Sequence, residues 1–143
     1  MHGKSCKCCV HRKGATRALG GDHPELANRF SSVGQPVLVP GDMGTASWVL
    51  AGPKKGANDA FSSSCHGAGR QLSRTAARKS VDSLALKERL EASGIHVRAK
   101  TPNVLAEEAP EAYKDVDEVI ALTNAANLAR PVARLRPFAV IKG

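Results

Sequence analysis

Aromatic residues are scarce in this sequence of 143 residues, which holds one Trp, one Tyr and three Phe. A buried core must therefore be built from aliphatic side chains and alanine. No stretch is long and apolar enough to span a bilayer, and the N-terminus lacks the apolar segment of a signal peptide. These absences favour a cytoplasmic location with no membrane contact. The length suits one domain. We expect it to be an α/β domain of the mixed α+β kind.

Acidic residues are also few, since 13 Asp and Glu face 21 Lys and Arg for a net charge of +8. Such an excess favours polyanionic partners, nucleic acid or nucleotide. The four cysteines do not follow a disulfide framework, and in a cytosolic protein they are expected as free thiols.

The first nine residues concentrate metal-ligand chemistry without the usual spacing. Cys6, Cys8 and Cys9 lie near His2 and His11, but no Cys-x-x-Cys pair occurs and no second pair follows. Two interpretations stay open, a zinc site and a disordered terminus over residues 1–9. We expect no metal site that can be identified from the sequence.

Residues 61–70 organise the chain, because a histidine stands where a run of small residues meets a Gly-x-Gly turn. Glycines on both sides of Ala68 permit unusual torsions and the close approach of a ligand. Residues 70–79 contain no Gly or Pro, which predicts a helix there. His66 is then expected just before a helix N-terminus, where free N–H groups favour a phosphate.

Three arginines follow at helical spacing, which would place Arg70, Arg74 and Arg78 on one face. A nucleophile or base, a phosphate-binding turn and a basic stripe would thus lie close together. The alternative is a packed turn whose histidine only bonds a carbonyl group. The basic segment around Lys13 is open to two readings as well, a solvated loop or a phosphate-contacting loop.

Further elements follow from local patterns. A buried strand is predicted over 35–39 and another over 48–51, joined by a loop with two glycines. A helix is predicted from a cap at residues 80–82 through Ala92, with apolar Leu84, Leu86 and Leu90 and a C-cap at Gly94. Residues 95–99 predict a half-exposed strand, 115–126 a helix, and 138–141 a buried strand that ends beside Lys142.

Five segments in order resemble the RtcB family of RNA-splicing ligases. They read His-Arg-Lys-Gly-Ala-Thr-Arg, Pro-Gly-Asp-Met-Gly-Thr-Ala-Ser, Cys-His-Gly-Ala-Gly-Arg, Glu-Glu-Ala-Pro-Glu-Ala-Tyr-Lys-Asp-Val-Asp and Val-Ile-Lys-Gly. The resemblance runs over residues 10–143 and covers the C-terminal portion of that family, so we expect an incomplete RtcB-like fold.

The resemblance implies ligation of an RNA 3′-phosphate, or a 2′,3′-cyclic phosphate after opening, to a 5′-hydroxyl, with GTP and manganese as cofactors. It makes His66 the nucleophile that carries GMP. Residues implied to bind GTP or GMP are Pro40, Gly41, Asp42, Met43, Ser47, His66, Gly67, Ala68, Gly69, Tyr113 and Lys142. Residues implied to contact RNA or phosphate are Lys13, Arg12, Arg17, Arg70 and Arg74.

The manganese ligands of the family belong to its longer N-terminal part, whose motifs do not occur here. Implied partners are therefore RNA ends, such as tRNA halves or broken RNA, with an archease-type activator or a chain that supplies the missing region. We expect a truncated or split member that forms little GMP adduct alone. Two alternatives are a GMP- or RNA-binding fragment without catalysis and a degenerate fragment with exposed strand edges.

Overall fold

The computed structural model describes residues 7–53 and 60–143. Two ligand candidates, His2 and Cys6, lie outside the described residues. No helix in these two ranges has the length and apolar character needed to cross a bilayer. The strands are β1 Ala15–Arg17, β2 Pro36–Pro40, β3 Ser47–Ala51, β4 Ser63–Cys65, β5 His96–Ala99, β6 Arg130–Leu135 and β7 Ala139–Lys142. The α-helices are α1 Arg74–Ser80, α2 Ser83–Ala92, α3 Pro102–Glu107 and α4 Val116–Ala125.

The strands form three small sheets, which confirms the mixed α/β class. β1 pairs with β4 antiparallel, and β2, β3 and β6 form an antiparallel sheet in that order. β5 and β7 pair in parallel. Two 3₁₀ turns, Asn28–Phe30 and Pro110–Ala112, complete the described elements.

The two strands predicted around the Pro-Gly-Asp loop are confirmed as β2 and β3. Val37 and Val39 point into the core, while Leu38 between them is 70% exposed. This alternation is what an antiparallel strand with one covered face shows. Leu38 pairs with Val49 across the hairpin, so the outer face of the sheet is apolar and largely uncovered.

Helix α2 begins and ends where its capping residues predict. Asp82 accepts hydrogen bonds from the backbone N–H groups of residues 84 and 85, at 2.9 and 3.2 Å. Gly94 has φ +81°, and the N–H of Ile95 donates to the carbonyl of Leu90 in a C-terminal cap. One expectation was wrong, because Leu84 is exposed whereas Leu86 and Leu90 are buried.

The helix predicted over residues 70–79 starts later than expected. Ser73 is its N-cap, and its side chain accepts a hydrogen bond from the N–H of Ala76. Arg70 instead forms an isolated antiparallel bridge with Tyr113. The absence of Gly and Pro over 70–73 was not sufficient for a helix, because this non-local backbone pairing takes up the segment.

The C-terminal part contains one helix without a sequence prediction and one strand that differs from expectation. Thr101 and Pro102 are the N-cap and first residue of α3, the position at which proline is favoured. The last strand was expected to be buried, but Ile141 is 82% and Phe138 is 74% exposed. β7 pairs with β5 alone among the described strands, so one of its faces lies in solvent.

Buried side chains form two clusters. The first joins β2 and β3 to α4 around Val39, Leu50 and Val116. The second joins α2, β5 and α3 around Leu86 and Leu90. Met43, in the loop after β2, belongs to the second cluster although β2 belongs to the first. That loop therefore connects the two halves of the core at the place where the cleft described next opens.

Candidate active site

One cleft, ≈ 760 Å³ in volume, opens where the β2–β3 loop, the segment after β4 and strand β7 meet. It is lined by all of the residues that the family resemblance implies to contact GTP or GMP. They are Pro40, Gly41, Asp42, Met43, Ser47, His66, Gly67, Ala68, Gly69, Tyr113 and Lys142. The fold thus brings segments that are far apart in sequence to one concave surface, as ligand sites commonly require.

The β2–β3 loop forms one wall of the cleft and is held by its own acid. The Asp42 carboxylate accepts the N–H groups of Gly44 and Thr45 at 2.8 and 3.0 Å, and the Thr45 hydroxyl at 2.6 Å. Gly41 lies so close to the returning chain that a Cβ there would stand 2.1 Å from the carbonyl oxygen of Ala46. Only glycine fits this turn without displacement of the loop.

His66 follows β4 directly and is not at a helix N-terminus, which corrects the expectation from sequence. The N–H of Ala68 donates to the carbonyl of Pro40 at 3.1 Å, and this bond fixes the histidine loop against the end of β2. Gly69 then turns the chain with φ +81°. The imidazole of His66 is exposed and makes no hydrogen bond with another described residue. The alternative of a carbonyl-bound histidine is not observed within those residues.

The segment that precedes His66 has a strained backbone, and residues from an earlier part of the chain bond to it. Phe61 and Ser62 both have φ +50°, which is uncommon for residues other than glycine. Arg12 donates to the carbonyl of Phe61 and to the hydroxyl of Ser63, each at 2.8 Å. The N–H of Ala18 donates to the carbonyl of Ser62 at 2.7 Å. These bonds hold the strained backbone just before the histidine in place. Strained backbone that is fixed by surrounding contacts is frequent at functional sites.

A carboxylate absent from the predicted site residues, Glu108, stands on the cleft wall. It accepts hydrogen bonds at 2.6 Å from both Arg70 and the Tyr113 hydroxyl, and the Lys142 ammonium lies 3.5 Å away. The Arg70 guanidinium also lies over the Tyr113 ring, 4.7 Å from its centroid. Glu108 follows Glu107 in one of the resembling segments, but no local pattern distinguishes it from a surface acid.

Ionisation at this wall follows from burial and pairing. Burial alone would raise the pKa of Glu108, but the Tyr113 hydrogen bond and the Lys142 and Arg70 charges together hold it below its ordinary value. Burial, followed by the hydrogen bond to Glu108, raises the pKa of Tyr113. Nη1 of Arg70 is buried and has no hydrogen-bond partner in the described structure.

The basic stripe that the sequence predicts is paired with acids. Arg74 lies 3.5 Å from the Glu107 carboxylate, and Arg78 donates to the same carboxylate at 2.7 Å. The residues expected at RNA phosphates that do not line the cleft are Lys13, Arg12, Arg17 and Arg74. We expected Lys13, Arg70, Arg74 and Lys142 to share one basic face or cleft, and of these four Arg70 and Lys142 line the cleft.

Metal chemistry has little support in the described residues. Cys9 Sγ lies 3.3 Å from a ring nitrogen of His11, and Cys8 is exposed nearby. No group of three or more His, Cys, Asp or Glu side chains placed to hold a metal occurs in residues 7–53 and 60–143. A structural zinc site has four protein ligands and a catalytic one has three, so the described residues do not form a zinc site by themselves.

Comparison with known proteins decides the family. The family model described as tRNA-splicing ligase RtcB matches residues 1–143. The chain belongs to the RtcB family. Proteins named tRNA-splicing ligase RtcB from Archaeoglobus fulgidus and Thermococcus kodakarensis are 50% and 52% identical to it over 143 residues. The protein of that name from Nanoarchaeum equitans is 49% identical over the same length.

These matches cover the whole of this chain but only 30% of the length of each of the three RtcB proteins. The match also includes residues 1–9, which the sequence analysis left outside the resemblance. The limit of RtcB similarity is thus not at residue 10, and the cysteine-rich start of the chain is part of the matched region.

Proposed function

We propose that this chain carries the nucleotide-accepting site of an RNA ligase that joins a 3′-phosphate or a 2′,3′-cyclic phosphate to a 5′-hydroxyl. The proposal rests on family membership and on one observation. His66 is exposed on a cleft whose lining includes each residue implied to contact the guanine nucleotide, and its ring makes no bond with another described residue. A histidine held in this way is available for reaction, whereas a structural one would be bonded.

The chemistry suited to His66 is nucleophilic transfer of GMP. A lone pair of the imidazole forms an N–P bond with the α-phosphorus of GTP, the bridging P–O bond breaks, and pyrophosphate leaves with that electron pair. Loss of the remaining ring proton gives a phosphoramidate whose imidazole ring is neutral and whose phosphate keeps its negative charge. Histidine suits both halves of the cycle, because the neutral ring is a nucleophile near pH 7 and becomes a good leaving group when protonated.

The RNA then takes part in two displacements. An oxygen of the 3′-phosphate attacks the histidine-bound phosphorus, and the N–P bond breaks. The 5′-hydroxyl next attacks the 3′-phosphate phosphorus, so that GMP leaves and a phosphodiester forms. Arg70 lines the cleft as a cation for these phosphates. The net charge of +8 suits a polyanionic substrate.

Manganese is part of this proposal only because the family resemblance implies it as a cofactor. Phosphoryl transfer is commonly assisted by a divalent cation that neutralises charge on the phosphate oxygens. The described residues do not bring three ligands together, so no step above depends on a metal held by this chain. Longer relatives contain further sequence that could contribute such ligands, and the experiment below includes it.

Mass spectrometry of a guanylate adduct tests the proposal. The chain is incubated with GTP and manganese, alone and with a second chain that carries the remainder of a longer RtcB relative. We expect little adduct on the chain alone and a clear adduct in the mixture. Peptide mapping should place the adduct on His66.

Two variants give the control. His66→Ala should abolish the adduct in the mixture, whereas His96→Ala should retain it, because His96 is an exposed histidine of β5 outside the cleft lining. The proposal is wrong if the mixture forms no adduct, or if the adduct persists in His66→Ala.

A further inference from the structure

Three side chains of the cleft wall come from three distant parts of the chain and meet on one carboxylate. Arg70 follows the histidine loop, Tyr113 follows the second 3₁₀ turn, and Lys142 belongs to β7. Each of the three lines the cleft, and each contacts Glu108 at the end of α3. Glu108 therefore links Lys142 of β7 to Arg70 and Tyr113, whose backbones already pair in an isolated bridge.

The contacts divide between the two oxygens of Glu108. Oε1 accepts from Nη2 of Arg70, while Oε2 accepts from the Tyr113 hydroxyl and faces the Lys142 ammonium. The Glu108 side chain is 20% exposed, so water competes little for these positions. Arg70 is further fixed by a 2.7 Å bond from Nη2 to the carbonyl of Glu107 and by its place over the Tyr113 ring.

We propose that Glu108 is a positioning residue of the nucleotide site. Its carboxylate holds the Tyr113 phenol, the Lys142 ammonium and the Arg70 guanidinium in the arrangement from which they meet the ligand. This inference rests on the proposed function, because it assigns Glu108 a part in binding the same nucleotide. Glu108 acts through its three neighbours and needs no contact with the reacting atoms.

The charge state of Glu108 also decides whether Tyr113 donates or accepts a hydrogen bond toward a ligand in the cleft. The pairing described above keeps the carboxylate ionised at neutral pH, so it has no proton to donate. The hydrogen in the 2.6 Å contact therefore belongs to the phenol. With its one hydrogen engaged, the Tyr113 oxygen can only accept a hydrogen bond from a ligand, whereas Lys142 can only donate.

This polarity complements a purine edge that presents a donor next to an acceptor. Guanine and hypoxanthine present a ring N–H donor next to a carbonyl acceptor, and adenine presents an amino donor next to a ring nitrogen acceptor, so the two edges differ in the order of the groups. By fixing Tyr113 as an acceptor, Glu108 limits the cleft to one of these two orders. Glutamine at position 108 could donate as well as accept, and would let the Tyr113 hydroxyl reverse its direction.

Titration of Tyr113 tests the positioning role without any nucleotide. Tyr113 is the only tyrosine in the chain, so the near-ultraviolet absorbance of phenolate reports on it alone. Glu108→Gln should lower the phenol pKa, because the variant loses the anionic acceptor that disfavours phenolate. Glu111→Gln is the matched control, since Glu111 pairs with Arg89 and does not line the cleft, and its phenol pKa should equal the wild type.

Binding of GTP, ITP and ATP by calorimetry tests the specificity, with the chain together with the remainder of a longer relative. Wild type and Glu111→Gln should bind GTP and ITP more tightly than ATP. Glu108→Gln should lose about tenfold or more in GTP affinity, equivalent to about 1.4 kcal/mol, and should discriminate less against ATP. Circular dichroism of each variant confirms that it is folded.

The outcomes separate this inference from the proposed function. If wild type binds no guanine nucleotide, the proposed function fails, while the Tyr113 titration still decides the contact with Glu108. If wild type binds GTP but Glu108→Gln keeps both the wild-type phenol pKa and the wild-type affinity, the positioning role is wrong.

Discussion

The indole N–H of Trp48 donates a 2.7 Å hydrogen bond to the carboxylate of Asp117, which ties strand β3 to the first turn of helix α4. Arg134 of β6 donates to the same carboxylate, with distances of 2.8 to 3.2 Å. One acid thus links two strands and a helix around the first core cluster. The hydrogen bonds from Arg134, opposed by burial and aided by Trp48, hold the pKa of Asp117 below its ordinary value.

Asp117→Asn should make the fold less sensitive to acid. Because the folded-state pKa of Asp117 is depressed, its contribution to the free energy of unfolding is complete above the unfolded pKa and is lost as the pH falls through the folded one. Wild type should therefore be the more stable at neutral pH, and the difference should shrink in acid. Denaturant unfolding followed by Trp48 fluorescence measures this. Glu118 is an exposed acid of the same helix turn. For Glu118→Gln, the difference in the free energy of unfolding from wild type should not shrink as the pH falls.

Val39→Ala and Leu38→Ala should differ strongly in stability although they are neighbours in β2. Val39 is fully buried, so its truncation should cost about 2 kcal/mol from lost burial and the cavity left behind. Leu38 is 70% exposed, and its truncation should change the free energy of unfolding by about 0.5 kcal/mol or less. Equal effects in chemical denaturation would contradict the placement of the two faces of the sheet.

The elements that could be predicted from sequence are those whose signals are local. Strands β2 and β3 showed apolar runs on either side of a glycine loop, and α2 had Asp82 and Gly94 at its ends. These features act within a few residues of the backbone they specify. Only the family resemblance predicted that the residues implied to bind the nucleotide lie together. No local rule brings Tyr113 and Lys142 beside His66.

The features that were missed depend on distant partners. Arg70 lies outside α1 because it pairs with Tyr113, and the exposed Arg74 has Glu107 as an ion-pair partner. Composition suggested that β7 is buried, but an apolar strand is buried only if another element covers it. Glu108 gave no signal, since its role arises from three side chains that the fold brings to it.

Gly41→Ala should destabilise the protein and disturb the cleft, whereas Gly67→Ala should be tolerated by the fold. A Cβ at Gly41 would stand 2.1 Å from a backbone oxygen and 2.9 Å from Val116, and such overpacking costs about 1–3 kcal/mol. A Cβ at Gly67 would meet the Pro40 oxygen at 3.5 Å, an ordinary contact. Thermal melts compare the two, and a stable Gly41→Ala variant would show that the loop yields more easily than its geometry implies.

Arg12→Ala and Lys13→Ala remove the same charge but should have different effects. Lys13 is exposed, and its loss should reduce the slope of log affinity against log salt for single-stranded RNA by about 0.7 if it meets one phosphate. Arg12 holds the segment before His66, so its loss should in addition lower the free energy of unfolding by about 1 kcal/mol. RNA titrations at several salt concentrations and chemical denaturation measure the two quantities. Unchanged stability in Arg12→Ala would mean that its bonds are dispensable.

The parallel pairing of β7 with β5 has a practical consequence for anyone who handles this protein. The N–H of Lys100 donates to the carbonyl of Lys142 at 2.9 Å, so the last strand is held in register up to the residue before Gly143. Residues joined to Gly143 would begin one position beyond a lysine that lines the cleft. Under the proposed function, we therefore expect a chain with an affinity tag joined to Gly143 to bind guanine nucleotide more weakly than the same chain without the tag.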